Sequence, residues 1–209
     1  HQSNAILSDM LLFGVGAAAS AGNSNTTLGR IGLGYLYTDF KPQISWTLPD
    51  LGAGFNAKIG VFDPDDIHAD TTTFSATDKS SPRVEAQLTW NGDLLGTGVG
   101  MNLWVDGSYQ HTERNEAEAS ARTGVNDADG GNDITVDRDT DVDSAGVGFG
   151  TKLSYEGFQL VASGFWGNAM GIRGQHATGA AGNGALDDVG TERNSYGGYI
   201  QGTFDFGQG

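Results

Sequence analysis

The stretch from Lys41 to Asp63, KPQISWTLPDLGAGFNAKIGVFD, constrains the fold more than any other, because two runs of alternating residues flank a Pro-Asp-Leu-Gly-Ala-Gly turn. Successive side chains of a strand point to opposite sides. Ile44, Trp46 and Leu48 therefore share one face of the first arm, against Gln43, Ser45 and Thr47. In the second arm Phe55, Ala57, Ile59 and Val61 stand against Asn56, Lys58 and Gly60. Helical spacing fits neither arm. The stretch predicts a β-hairpin with one apolar and one polar face.

The same alternation recurs down the chain. Arg83–Trp90 sets Val84, Ala86, Leu88 and Trp90 against Arg83, Glu85, Gln87 and Thr89, and Asn91-Gly92-Asp93 offers the chemistry of a tight reversal. Further strands are predicted over Val99–Tyr109, Ala145–Tyr155, Phe158–Trp166 and Ser195–Phe206, and His111 to Ser144 reads as a long acidic loop. Leu28–Tyr37 also alternates, either as a separate strand or as the descending limb of the loop before it. Short connections follow Leu48, Trp90 and Tyr155; long ones follow Phe62, Tyr109 and Trp166. Short turns at one end and long loops at the other are the layout of an up-and-down antiparallel barrel.

Composition bears on which face is outward. Apolar-face positions carry no charge, whereas the opposite faces carry Lys58, Arg83, Glu85, Asp106, Lys152 and Asp205. In a soluble barrel those charges, and the glycines at 146, 148 and 150, would line a hollow core with unpaired ions, at several kcal/mol each. A watery lumen removes that cost, and 34 glycines among 209 residues suit a bare inner wall. Aromatics collect at strand ends: Trp46, Phe55, Trp90, Tyr155, Phe158 and Phe204 near the short turns, Tyr109, Trp166 and Tyr196 near the long loops. Two interfacial girdles have this form. The expected fold is all-β, a transmembrane up-and-down antiparallel β-barrel in a single domain over 1–209. A mean hydropathy of −0.31 does not oppose this, since only alternate residues of such a strand face lipid. The net charge of −15 disfavours nucleic acid as a partner. With no cysteine there is no disulfide framework and no thiol nucleophile.

These residues resemble the general porins of Gram-negative outer membranes, trimeric sixteen-stranded diffusion channels. The phrase around Ile44–Phe62, a strand ending in Thr-x-Pro-Asp, a Gly-rich turn, then Gly-Phe-x-Ala-x-Ile-Gly, looks like the hairpin after the pore-constricting loop of such porins. Ala5 to Gly16, AILSDMLLFGVG, then falls where that inward-folded loop belongs, and Leu28-Gly29-Arg30 is similar to the return from it. The resemblance implies a constriction-loop region over 1–27, strands over 28–209, and about seven or eight of a probable sixteen strands, an internal portion of a longer chain. It further implies a bacterial outer-membrane location, lipid and lipopolysaccharide around the barrel, a homotrimer, and passive diffusion of small hydrophilic solutes and ions without a reaction step. Selectivity in such a pore comes from cross-section and transverse charge. Asp9 is then expected on the acidic side, Arg30, Lys58 and Arg83 on the basic wall, and Glu85, Asp106 and Lys152 elsewhere along the lumen.

A competing reading is a secreted Ca²⁺-binding β-sandwich, adhesin-like or lectin-like. Asp63, Asp65 and Asp66 in FDPDD, and Asp127, Asp129 and Asp133 in NDADGGND, offer oxygen ligands for Ca²⁺ at surface loops. The second run places its Gly too early for an EF-hand and has no Glu at the twelfth place. Solvated loops carry such runs as well. An outer-membrane barrel hydrolase would need a Ser/His/Asp constellation that the spacing does not supply. The histidines, His1, His68, His111 and His176, stand at the start or in expected loops, with no partner spacing for zinc or a triad.

Overall fold

The computed structural model describes residues 41–49, 51–67, 76–114, 141–171, 184–187 and 190–207. They form one antiparallel sheet of seven strands, each paired with its neighbours in chain order. The strands are β1 (Gln43–Thr47), β2 (Phe55–Phe62), β3 (Arg83–Asp93), β4 (Gly100–Glu113), β5 (Asp141–Tyr155), β6 (Phe158–Asn168) and β7 (Asn194–Phe204). Among the described residues there is no helix, and none is long and apolar enough to cross a membrane. β1 pairs only with β2 and β7 only with β6, so both edges of the described sheet are open. Leu28–Tyr37 and the region 1–27 lie outside the described residues.

The alternation of connections is as the sequence predicts. Its clearest short turn is Glu156-Gly157, both at positive φ (45° and 82°), the twist that a two-residue hairpin between right-twisted strands requires. The reversal after β3 lies elsewhere than expected. Asn91, Gly92 and Asp93 continue the strand, opposite Asn102, Met101 and Gly100. The chain instead turns through 94–99, where Leu95, Gly96 and Gly98 take positive φ and Leu94 N–H donates to Val99 O at 2.8 Å. A second difference has larger consequences. His111–Glu113 and Asp141–Ser144, read from sequence as part of an acidic loop, are strand, because β4 and β5 stay paired out to Glu113↔Asp141.

Register decides what the faces carry. Lateral neighbours on one side are apolar strand after strand: Ile59 pairs with Ala86, Leu88 with Val105, Val105 with Phe149, Leu153 with Leu160 and Ala162 with Ile200. This is also the exposed side, with Leu103, Val105, Phe149, Trp166 and Ile200 all open. The opposite, polar side is the less exposed one, although Asn56 and Lys58 at its β2 end are open. Gln110, Thr112, Ser144, Ser163 and Arg83 are buried there, together with Trp104, Val161 and Phe165. Segments from the long connections pack at the long-loop end, where Ile67, Ala76, Ala169, Ala185 and Leu186 gather with Val142 in a buried cluster.

Candidate functional site

The polar face holds the charged side chains in rows across the strands, since each residue pairs with one directly opposite on the next strand. Lys58 pairs with Gln87, and Gln87 with Asp106, so a cation and an anion lie in one row with an amide between them. Asp106 in turn pairs with Gly148. Lys152 stands opposite Asn102 and Val161, towards the short-turn end. There Asn91, Gly92, Asn102, Lys152 and Ser154 line a cavity of about 350 Å³, and Asn102 Nδ2 donates to Asn91 Oδ1 at 2.5 Å. Lys58, Asp106 and Lys152 thus share the face that the sequence assigns them. Asp9 and Arg30 lie outside the described residues.

Arg83 and Glu85 are bound into a different arrangement, at the long-loop end. Arg83 Nη1 lies 3.0 Å from Asp65 Oδ2, and Nη2 lies 2.6 Å from Glu85 Oε1. Lys41 Nζ also contacts Asp65. The amide of Gln110 clamps the Asp65 backbone, accepting from its N–H at 2.9 Å and donating to its carbonyl at 2.6 Å. The segment after β2 is therefore pinned to the polar face, and a buried guanidinium fixes two carboxylates. Of the acidic residues considered for Ca²⁺, Asp65 is engaged by these two cations and Asp66 by Lys79 at 3.2 Å, while Asp63 is exposed. Asp127, Asp129 and Asp133 lie outside the described residues.

The glycine-rich wall of β5 is not bare. The indole of Trp104 lies over Gly150 and packs with Val161 and Tyr199, its N–H without a hydrogen-bond partner among the described residues. Met170, fully buried just after β6, covers the paired glycines Gly146 and Gly167, and its sulfur accepts from the Ser144 hydroxyl at 3.2 Å. Sequence reasoning missed Met170. The available signal was two in-register glycines on neighbouring strands, which leave a hollow for a side chain.

It also missed a cluster on the other face. Continuing β4 past Tyr109 brings His111 opposite Asp143 and Glu113 opposite Asp141, beyond the last apolar positions of these strands. Setting the histidines aside for lack of spacing overlooked cross-strand pairing. The hydrogen bond to Asp143 makes the His111 imidazole more basic than usual, against a smaller effect of burial, and the nearby carboxylates add to it. The Asp143 carboxyl is held below its usual range by the hydrogen bond from His111 first and that from Tyr109 second.

A comparison with protein-family models, curated proteins and solved structures finds no match to the chain. The functional reading therefore rests on the faces of the sheet and the chemistry of its side chains.

Proposed function

We propose that the chain is part of an outer-membrane porin, a trimeric sixteen-stranded barrel that lets small hydrophilic solutes and ions diffuse through a watery lumen without a reaction step. The observation that carries this reading is the inverted sense of the sheet: its apolar face is the exposed one, whereas the polar face holds the buried side chains Arg83, Gln110, Thr112, Ser144 and Ser163. In water, each of these half-open apolar side chains forgoes part of the roughly 1.5–3 kcal/mol that full burial contributes. Lipid removes that penalty for the whole face at once, and a hydrated lumen does the same for Lys58, Asp106 and Lys152.

The aromatic rows support the same reading. On β6 the outward ring pairs are Phe158↔Phe204 at the short-turn end and Trp166↔Tyr196 at the long-loop end. They are about 26 Å apart along the strand, or about 20 Å in height at the usual tilt, within a few Å of the apolar band of barrel proteins. Trp90 has the interfacial form, with an apolar body on the outward face and an indole N–H donating to the Ala53 carbonyl of the short turn at 2.9 Å. The open edges at β1 and β7 fit a barrel completed by further strands.

Planar-bilayer recording of the whole protein that contains this chain, purified in detergent, tests the proposal. Stepwise, ohmic conductance increments are expected; a protein that inserts and conducts nothing, or that stays dispersed and monomeric without detergent, overturns it. The latter result would favour the secreted β-sandwich.

A further inference from the structure

On the outward face at the long-loop end, three potential ligands come together from two strands. One imidazole nitrogen of His111 and one carboxylate oxygen each from Glu113 and Asp141 all lie within 4.8 Å of one another. The sheet itself sets this geometry. His111 and Glu113 are two apart on β4 and share a face, and Asp141 is the cross-strand partner of Glu113, so the three form a right-angled corner on the pleat.

The histidine is also oriented. Its Nδ1 lies 2.9 Å from Asp143 Oδ1, and an ionised carboxylate only accepts, so Nδ1 is the donor. That leaves Nε2, 3.8 Å from Glu113 Oε1, as the nitrogen available for coordination. Asp143 is fixed in its turn, because the Tyr109 hydroxyl donates to the same oxygen at 2.7 Å and the Asp143 backbone N–H donates to Glu192 Oε1 at 2.9 Å. A carboxylate that accepts a hydrogen bond from one imidazole N–H and turns the other nitrogen outward is the usual support of a metal-ligating histidine.

We propose that His111, Glu113 and Asp141 bind a divalent transition-metal ion of the zinc class, with Asp143 as the positioning residue. Neutral imidazole with two carboxylates balances the ion's charge, and one nitrogen with two oxygens suits Zn²⁺ better than Ca²⁺, which takes six to eight oxygens. Metal–ligand bonds of about 2.0–2.2 Å require the three donors to draw together, and Glu113 and Asp141 are exposed side chains able to rotate inward. Water completes the coordination from the open side. The site joins two strands whose connection spans 114–140, so the bound ion would clamp that end of the β4–β5 pair.

The test uses the whole protein that contains these residues, in detergent micelles, with Co²⁺ as the spectroscopic probe and Zn²⁺ as competitor. A visible ligand-field band saturating at one Co²⁺ per chain and displaced by Zn²⁺ is expected. His111→Gln should abolish it, Glu113→Gln should weaken binding at least tenfold, and Asp143→Asn should weaken it by about ten- to a hundredfold. Far-UV circular dichroism identifies any variant that has not folded; these positions lie at an exposed strand end, and either ligand variant alone decides the outcome. A wild-type protein without the band, or a band unchanged in His111→Gln or Glu113→Gln, overturns the proposal. Conductance plays no part in this readout, so its result is independent of the porin reading.

Discussion

The indole ring of Trp104 fills the space that a side chain at Gly150 would need: a Cβ there would lie 2.0 Å from Cζ2 of the ring and 2.6 Å from the carbonyl oxygen of Ala162. The tryptophan can rotate away, but the backbone carbonyl cannot move cheaply. Gly150→Ala is therefore expected to destabilise the sheet by roughly 1–3 kcal/mol and to shift Trp fluorescence. Urea unfolding of the lipid- or detergent-folded protein measures the first effect. Adding Trp104→Ala should recover only part of the loss, because the Ala162 carbonyl stays in place.

Removing the buried guanidinium at position 83 leaves Asp65 with Lys41 and Glu85 without this partner. Breaking a buried pair costs about 3–5 kcal/mol; the partial exposure of both carboxylates and the remaining lysine reduce this to roughly 1–3 kcal/mol. Arg83→Met should show that loss in equilibrium unfolding, with earlier proteolysis in the segment 63–82. An unfolding midpoint equal to wild type would show that the network adds nothing.

Because Lys58 and Asp106 share a row across Gln87, they are expected to set opposing fields in the lumen of the proposed pore. Lys58→Glu should move the reversal potential in a salt gradient towards cation preference, and Asp106→Asn towards anion preference. Both shifts should shrink as ionic strength rises and screening shortens. Unchanged potentials in both variants would place neither residue beside the ion path.

The His111–Asp143 pair predicts a pH window for metal-free protein. The folded imidazole has its pKa raised above 6.5, so its contribution is complete below the unfolded value and fades as pH rises through the folded one. The folded Asp143 carboxyl is lowered from 3.8, so its contribution is present above that value and fades as pH falls through the folded one. Stabilisation by the pair is thus expected between these limits and lost on either side. Tyr109, Glu113, Asp141 and Glu192 also face the pair and set its background. Imidazole proton resonances followed by NMR should titrate above the usual histidine range and move back towards it in Asp143→Asn; identical titration in the two proteins would remove Asp143 as the cause.

Much of the fold was legible because strand alternation is local. Ile44, Trp46 and Leu48 against Gln43, Ser45 and Thr47 announce a two-faced strand, and the alternation of short and long connections orders the sheet as a meander. Residue type also placed Lys58, Asp106 and Lys152 on one face. The ends of strands were less legible. Asn91-Gly92-Asp93 has turn chemistry, yet pairing with Asn102, Met101 and Gly100 holds it in β3.

The sequence by itself determined an all-β chain of two-faced strands, since a period of two needs only neighbouring residues to be seen. Tertiary structure decided the register and what it brings together: His111 beside Asp143 across |i−j| = 32, Met170 over Gly146 and Gly167, and Trp104 over Gly150. The His111 and Trp104 contacts cross from β4 to β5, which a long connection joins, and Met170 reaches back over β5 from beyond the end of β6. Alternation assigns a side chain to a face, but only the backbone ladder between strands assigns it a neighbour.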